Sequence, residues 1–195
     1  MVDLIVMVDL NRREHLINIS LNLFNQYGYH GVGIDLILKD AKVSKKTMYK
    51  YFRSKQELIV AVLEKQDSLL RSQLINEVDD SEKVALAYLE KVFHVFGSLM
   101  KDNNFYGCMF VSAVSEYPEV TSPIRDISQQ FKASLHDYIL DLCKKSQLKT
   151  PQLVAAELSM LIDGAVAIAQ VTPKTDASST LQRAANNIIA SYQVA

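Results

Sequence analysis

Apolar residues recur at spacings of three and four along nearly the whole chain, and no stretch sustains the period-two alternation of a half-buried strand. The pattern predicts an all-α protein. Leu16, Ile17, Ser20, Leu23, Phe24 and Tyr27 form one face of a first helix, from about Asn11 to Tyr27, with Gly28 placed to end it in a left-handed cap. A glycine-rich turn (Gly28, Gly31, Gly33) leads to a second helix with Ile34, Ile37, Leu38 and Ala41 inward. The turn Ala41-Lys42-Val43 then reaches Ser44, a natural N-cap, and Ser54 with Glu57 reads as a capping box that opens another helix. Only about two turns fit between those caps. On that short helix Met48 and Phe52 share one face, with Val43 as a further anchor, and Lys45, Lys46, Tyr49, Lys50 and Arg53 share the other.

From Ser54 an apolar pattern without Gly or Pro runs through Leu58, Val62, Leu63, Leu69, Leu70 and Leu74 toward Asp79-Asp80. If helical to Asn76, it spans about 33 Å at 1.5 Å per residue. Further helices are expected from Ser81 to about Met100, Phe105 to Glu116, Ser122-Pro123 to about Ser146, Thr150-Pro151 to about Gln170, and Asp176 to Tyr192, with a break at Thr172-Pro173. The expected division is a three-helix head over 1–53 and a larger helical bundle over 54–195, without a flexible linker.

Charge sharpens this division. The chain of 195 residues has a formal net charge of −1, with 49% hydrophobic, 8% aromatic and 22% charged residues. Residues 1–55 carry nine Lys/Arg against five Asp/Glu, and 39–55 carry seven against one. A basic segment on an otherwise acidic chain is the footprint of a local nucleic-acid surface. The plainer reading of a Lys cluster is a solvated face. A capped helix that is basic outside and apolar inside suits insertion into the DNA major groove as the second helix of a helix-turn-helix.

Other chemistry is weakly marked. Cys108 and Cys143 stand apart, with no zinc-ligand spacing near them, which argues against a disulfide framework and fits a reducing cytosol. No metal and no cofactor is expected, although His94, Cys108, His136 and Cys143 are the conceivable ligands. No apolar run is read as long enough to span a bilayer, and the opening residues lack the basic region of a signal peptide. The repeat Met-Val-Asp-Leu at 1–4 and 7–10 leaves Met1 and Met7 both open as starts. No nucleophile elbow, phosphate loop or metalloprotease motif is present, so an enzyme with an unpatterned site is the different-class alternative.

Two features belong to the larger part. Phe93, His94, Phe96, Met100, Phe105, Cys108, Met109, Phe131 and Tyr138 are candidates to line a mostly apolar ligand cavity, with core packing as the plainer reading. The helix over 153–169 mixes small residues with apolar ones too widely spread for one buried stripe. With the last helix it is a candidate four-helix interface between two copies, through Leu158, Leu161, Ile162, Ala165, Ile168, Leu181 and Ile188; burial within one subunit is the alternative.

Tyr27-Gly28-Tyr29, Ile34 with Ile37-Leu38, Ala41-Lys42-Val43-Ser44, Met48-Tyr49-Lys50-Tyr51-Phe52 and Ser54-Lys55-Gln56-Glu57-Leu58 together resemble the DNA-binding head of the TetR family of bacterial transcriptional regulators. Tyr106-Gly107-Cys108 and Asp163-Gly164 are similar to recurrent features of its larger domain. The resemblance implies a cytoplasmic homodimer that binds a palindromic DNA operator and holds a small-molecule effector in each larger domain, most often as a repressor. An activator or a protein-sensing regulator of the same fold is the alternative within the family. By position, Lys45, Lys46 and Thr47 would face bases or nearby phosphates, and Tyr49 and Lys55 would hold phosphates; Ser44 and Lys50 lie in the same surface. Three positions depart from the family pattern. Gly33 stands where Thr is usual, Lys42 where the turn usually has Gly, and Tyr51 where His is frequent.

Overall fold

The computed structural model describes residues 2–76, 85–172 and 175–193, with side chains from Asn11 onward. Among the described residues the chain is helical, with no strand: α1 (Val2–Tyr27), α2 (Ile34–Ala41), α3 (Lys45–Tyr51), α4 (Lys55–Asn76), α5 (Ala85–Leu99), α6 (Met109–Glu116), α7 (Pro123–Lys145), α8 (Pro151–Val171) and α9 (Ala177–Ser191). The expected elements at Asp79-Asp80, Ser81-Glu82 and Pro173 lie outside the described residues.

Two compact units divide the chain: Met1–Ser68 with Met109–Gln129, and Leu69–Cys108 with Gln130–Ala195. The first is wider than a 1–53 head, because the opening turns of α4 and the whole of α6 belong to it. In it, α1 packs on α2 and α3 over Leu16, Ile17, Phe24, Ile37, Met48 and Phe52, all buried, with Leu58 and Val62 from α4 also in the core. In the second unit α9 packs on both α5 and α8, and its core holds Leu89, Phe93, Ile139, Leu158, Ile162, Leu181 and Ile189. Gly97 lets α5 and α9 meet closely, since a Cβ there would lie 2.7 Å from Ser178 Oγ.

Two boundaries and one further reading differ from the sequence pattern. α1 begins at Val2 rather than near Asn11, and the repeated Met-Val-Asp-Leu contains no Gly or Pro to stop a helix. The expected helix from Phe105 begins only at Met109. Asp102 turns the chain first, accepting from Asn104 N on its carboxylate (2.7 Å) and from Phe105 N on its carbonyl (3.0 Å). Gly107 then sits at φ +107°, with the side chain of Gln170 filling the place of any Cβ. Finally, α8 is long and apolar enough to cross a membrane by length and composition, contrary to the reading of no such run. Two acids interrupt it, and both hold partners in the chain: Glu157 accepts from Tyr192 Oη at 3.2 Å, and Asp163 pairs with Lys132.

Lys42 ends α2 in the left-handed region (φ 53°, ψ 42°). Val43 N bonds to Leu38 O at 3.1 Å and Lys42 N to Lys39 O at 3.3 Å, the two bonds of a Schellman cap. A residue with a Cβ carries strain of about 1–2 kcal/mol there, partly offset by the chain entropy that Gly would lose. Lys42→Gly is therefore expected to raise the unfolding free energy by roughly 0.5–1 kcal/mol. Urea melts at matched protein concentration check this.

Candidate nucleic-acid interface

The surface is built on α3. Ser44 enters in extended geometry (φ −76°, ψ 156°), and its Oγ accepts from Thr47 N at 3.1 Å. The Thr47 hydroxyl lies 2.9 Å from the same oxygen, so part of its capacity is engaged in the cap. Seven residues are too few to hold helical form alone. Met48 and Phe52 supply the rest, each fully buried and each stabilising by about 1.5–3 kcal/mol. Arg13 covers Phe52 from outside, with its guanidinium 5.1 Å from the ring centre.

With that face fixed inward, Lys45, Lys46, Lys50 and Arg53 are exposed, and Tyr49 is 44% exposed beside them. Lys50 Nζ lies 5.4 Å from the centre of the Tyr51 ring. Gly33 and Lys42 are exposed at the two ends of α2, and Gly33 caps it without any side-chain bond. The next helix starts as expected, with Glu57 N donating to Ser54 Oγ at 3.1 Å. The Glu57 carboxylate reaches back to Arg53 N at 2.6 Å, one residue before the cap.

Lys55 departs from the expected phosphate site. Its ammonium donates to Tyr29 O at 2.5 Å and lies 5.9 Å from the centre of the Phe24 ring, so it is half-buried within its own unit. Burial lowers its pKa from the ordinary lysine value, and the charge of Glu116 works against that shift.

The structure sorts the other candidates by burial. Phe93, Phe96, Met109 and Phe131 are core, Met100, Phe105, Cys108 and Tyr138 are half-buried, and His94 is exposed. Met109 belongs to the first unit and the other eight to the second. Two surface cavities are present elsewhere: about 670 Å³ on α1 and α2 beside Tyr27, and about 330 Å³ between α8 and α9. None of the nine residues lines either one. Burial pushes the Cys143 thiol up to about 11. His136 Nδ1 lies 3.3 Å from Ser159 Oγ.

The expected interface residues divide too. Leu158, Ile162, Ala165 and Leu181 are already covered by the chain itself, Leu161 and Ile188 are half-buried, and Ile168 is exposed. The open apolar face of α8 instead runs through Leu153, Met160, Ile168 and Val171, of which Met160 is 71% and Val171 82% exposed. Helical spacing puts these on one side; the density of small residues signalled close packing without saying which side was already taken.

Comparison with known proteins agrees with the geometry. Residues 16–62 match the sequence model described as Bacterial regulatory proteins, tetR family. The chain is similar to the HTH-type transcriptional regulator YjdC of Escherichia coli K12, 21% identical over 91% of this chain and 93% of that one. It is 30% identical to the HTH-type transcriptional repressor NemR of the same organism, over 58% of this chain and 57% of NemR. The crystal structure of SCO4454, a TetR-family transcriptional regulator from Streptomyces coelicolor, superposes with a TM-score of 0.86 at 26% identity, over 93% of this chain and 95% of that one.

The cap predicts its own test. Ser44→Ala removes the acceptor for Thr47 N and is expected to cost about 1 kcal/mol, and it should lower DNA affinity as the opening turn of α3 frays. Thermal melts and DNA titration of that variant measure both. Residues 16–62 thus form a helix-turn-helix head of the tetR-family type, and the all-helical fold is shared over 93% of the chain with a TetR-family transcriptional regulator.

Proposed function

We propose that the chain is a cytoplasmic repressor that binds a palindromic operator as a homodimer and leaves it when a small molecule enters the larger domain. The observation that carries the DNA reading is the outward basic face of α3, fixed by the burial of Met48 and Phe52 behind it. Residues 1–53 form the DNA-binding part and 54–195 the sensing and pairing part. Lys45, Lys46 and Thr47 meet base edges or phosphates; Tyr49, Lys50, Ser44 and the backbone near Gly33 and Lys42 hold phosphates. A Lys on guanine acceptors supplies about 1–3 kcal/mol of discrimination, and phosphate contacts make affinity fall with salt.

Support for the homodimer comes from α8, where only 28% of the most apolar window is buried within the chain. A second copy of α8 and α9 covers Met160, Ile168 and Val171 in a four-helix arrangement, with Gly164 and Ala167 allowing close approach. Two α3 helices then enter half-sites about 34–36 Å apart. Effector binding favours a tilt of α4, which is continuous from its Ser54 cap to Asn76, and the spacing is lost. Such coupling is reciprocal, so operator DNA weakens effector binding by the same factor.

Two results test this reading. Lys46→Ala and Tyr49→Ala should each weaken binding to a duplex enriched from random sequence by the wild-type protein, by roughly 5- to 100-fold. Both should remain dimers with unchanged helicity; loss of the dimer in either would place the wrong face on DNA. Ile168→Asp should sediment as a monomer and lose the enriched duplex. A dimer that survives this change would move the interface away from α8.

A further inference from the structure

Tyr29 lies in the loop between α1 and α2, yet it is only 1% exposed. Its three polar groups all reach other elements. The amide donates to Glu116 Oε1 at 2.9 Å, the hydroxyl to Met109 O at 2.9 Å, and the carbonyl accepts from Lys55 Nζ at 2.5 Å. Met109 and Glu116 are the first and last residues of α6, so one loop residue holds both ends of that helix.

His30 doubles the attachment at Glu116. Its amide donates to Glu116 Oε2 at 2.5 Å, and its Nε2 donates to the Glu116 carbonyl at 2.7 Å. Its ring stacks on Tyr117, with centres 4.7 Å apart and planes 19° apart. The carboxylate thus sits on two successive amides, one oxygen to each, a charge-assisted arrangement stronger than a neutral one. Gly28, at φ +74°, makes the turn, and a Cβ there would lie 3.0 Å from Glu116 Oε1.

The three-helix core does not need this attachment for its own packing, since Leu16, Ile37, Met48 and Phe52 are buried among α1, α2 and α3. The attachment does set where the 28–33 loop lies, and that loop delivers the chain into α2 and hence α3. We infer that Glu116 is a positioning residue for DNA binding: its carboxylate on the amides of Tyr29 and His30 holds the helix-turn-helix in register with α6, so that a displacement of α6 changes DNA affinity. The inference rests on the DNA-binding reading and adds to it a residue of α6, far from the helix-turn-helix in sequence.

The conservative variant Glu116→Gln keeps size but loses the charge and one of the two acceptors. Hydrogen exchange at the Tyr29 and His30 amides should quicken, and affinity for the wild-type-enriched duplex should fall about tenfold. The slope of affinity against salt should stay unchanged, because phosphate contacts are not removed. Tyr29→Phe, which deletes only the bond to Met109, should weaken the same duplex in the same direction. The pair should be non-additive in a double-mutant cycle.

Faster exchange at 29 and 30 with unchanged DNA affinity would overturn the inference, and so would unchanged exchange. If Glu116→Gln failed to fold, Tyr29→Phe with wild-type affinity would overturn it alone. Failure of the wild-type protein to enrich any duplex would instead count against the DNA-binding reading itself.

Discussion

A seven-residue helix does not persist in water, so α3 exists because its inner face is buried. Met48 and Phe52 are fully enclosed by the first unit, and Ser44 satisfies an amide at the open end. Everything exposed on α3 follows from those two burials. Turning the helix to bury a lysine would leave an unpaired ammonium in an apolar core, a cost that excludes the alternative. The basic face is therefore a consequence of packing.

The elements that were legible in the sequence are those with local causes. Caps at Ser44 and Ser54 and the glycine at the end of α1 depend on neighbours within a few residues, and each has the geometry expected of it. Contacts between residues distant in sequence were not legible. Lys55 reads as a phosphate ligand by position, but its ammonium turns inward to Tyr29 O. Glu116 reads as the polar end of an apolar segment, whereas it binds two amides more than eighty residues earlier. No periodicity encodes such a pairing.

The larger unit shows the same limit from the apolar side. A helix rich in small and apolar residues was visible in α8, and so was its excess of apolar surface. Which positions α9 already covers was not, because Leu158 and Ile168 look alike in composition and differ completely in exposure. The start of α6 was misplaced for a comparable reason: Gly107 takes a positive φ that its apolar neighbours do not announce, beside a Gln170 brought in from α8. Family resemblance adds the expectation of a paired, ligand-responsive molecule, which the physical pattern alone does not reach.

In the proposed function two α3 helices act together on DNA. Hydroxyl-radical footprinting of a wild-type-enriched duplex tests it most directly. The account predicts two protected patches related by two-fold symmetry, centred about one helical turn or a multiple of it apart, and both lost together in the Lys46→Ala protein. A single asymmetric patch, or protection that survives that substitution unchanged, would contradict it.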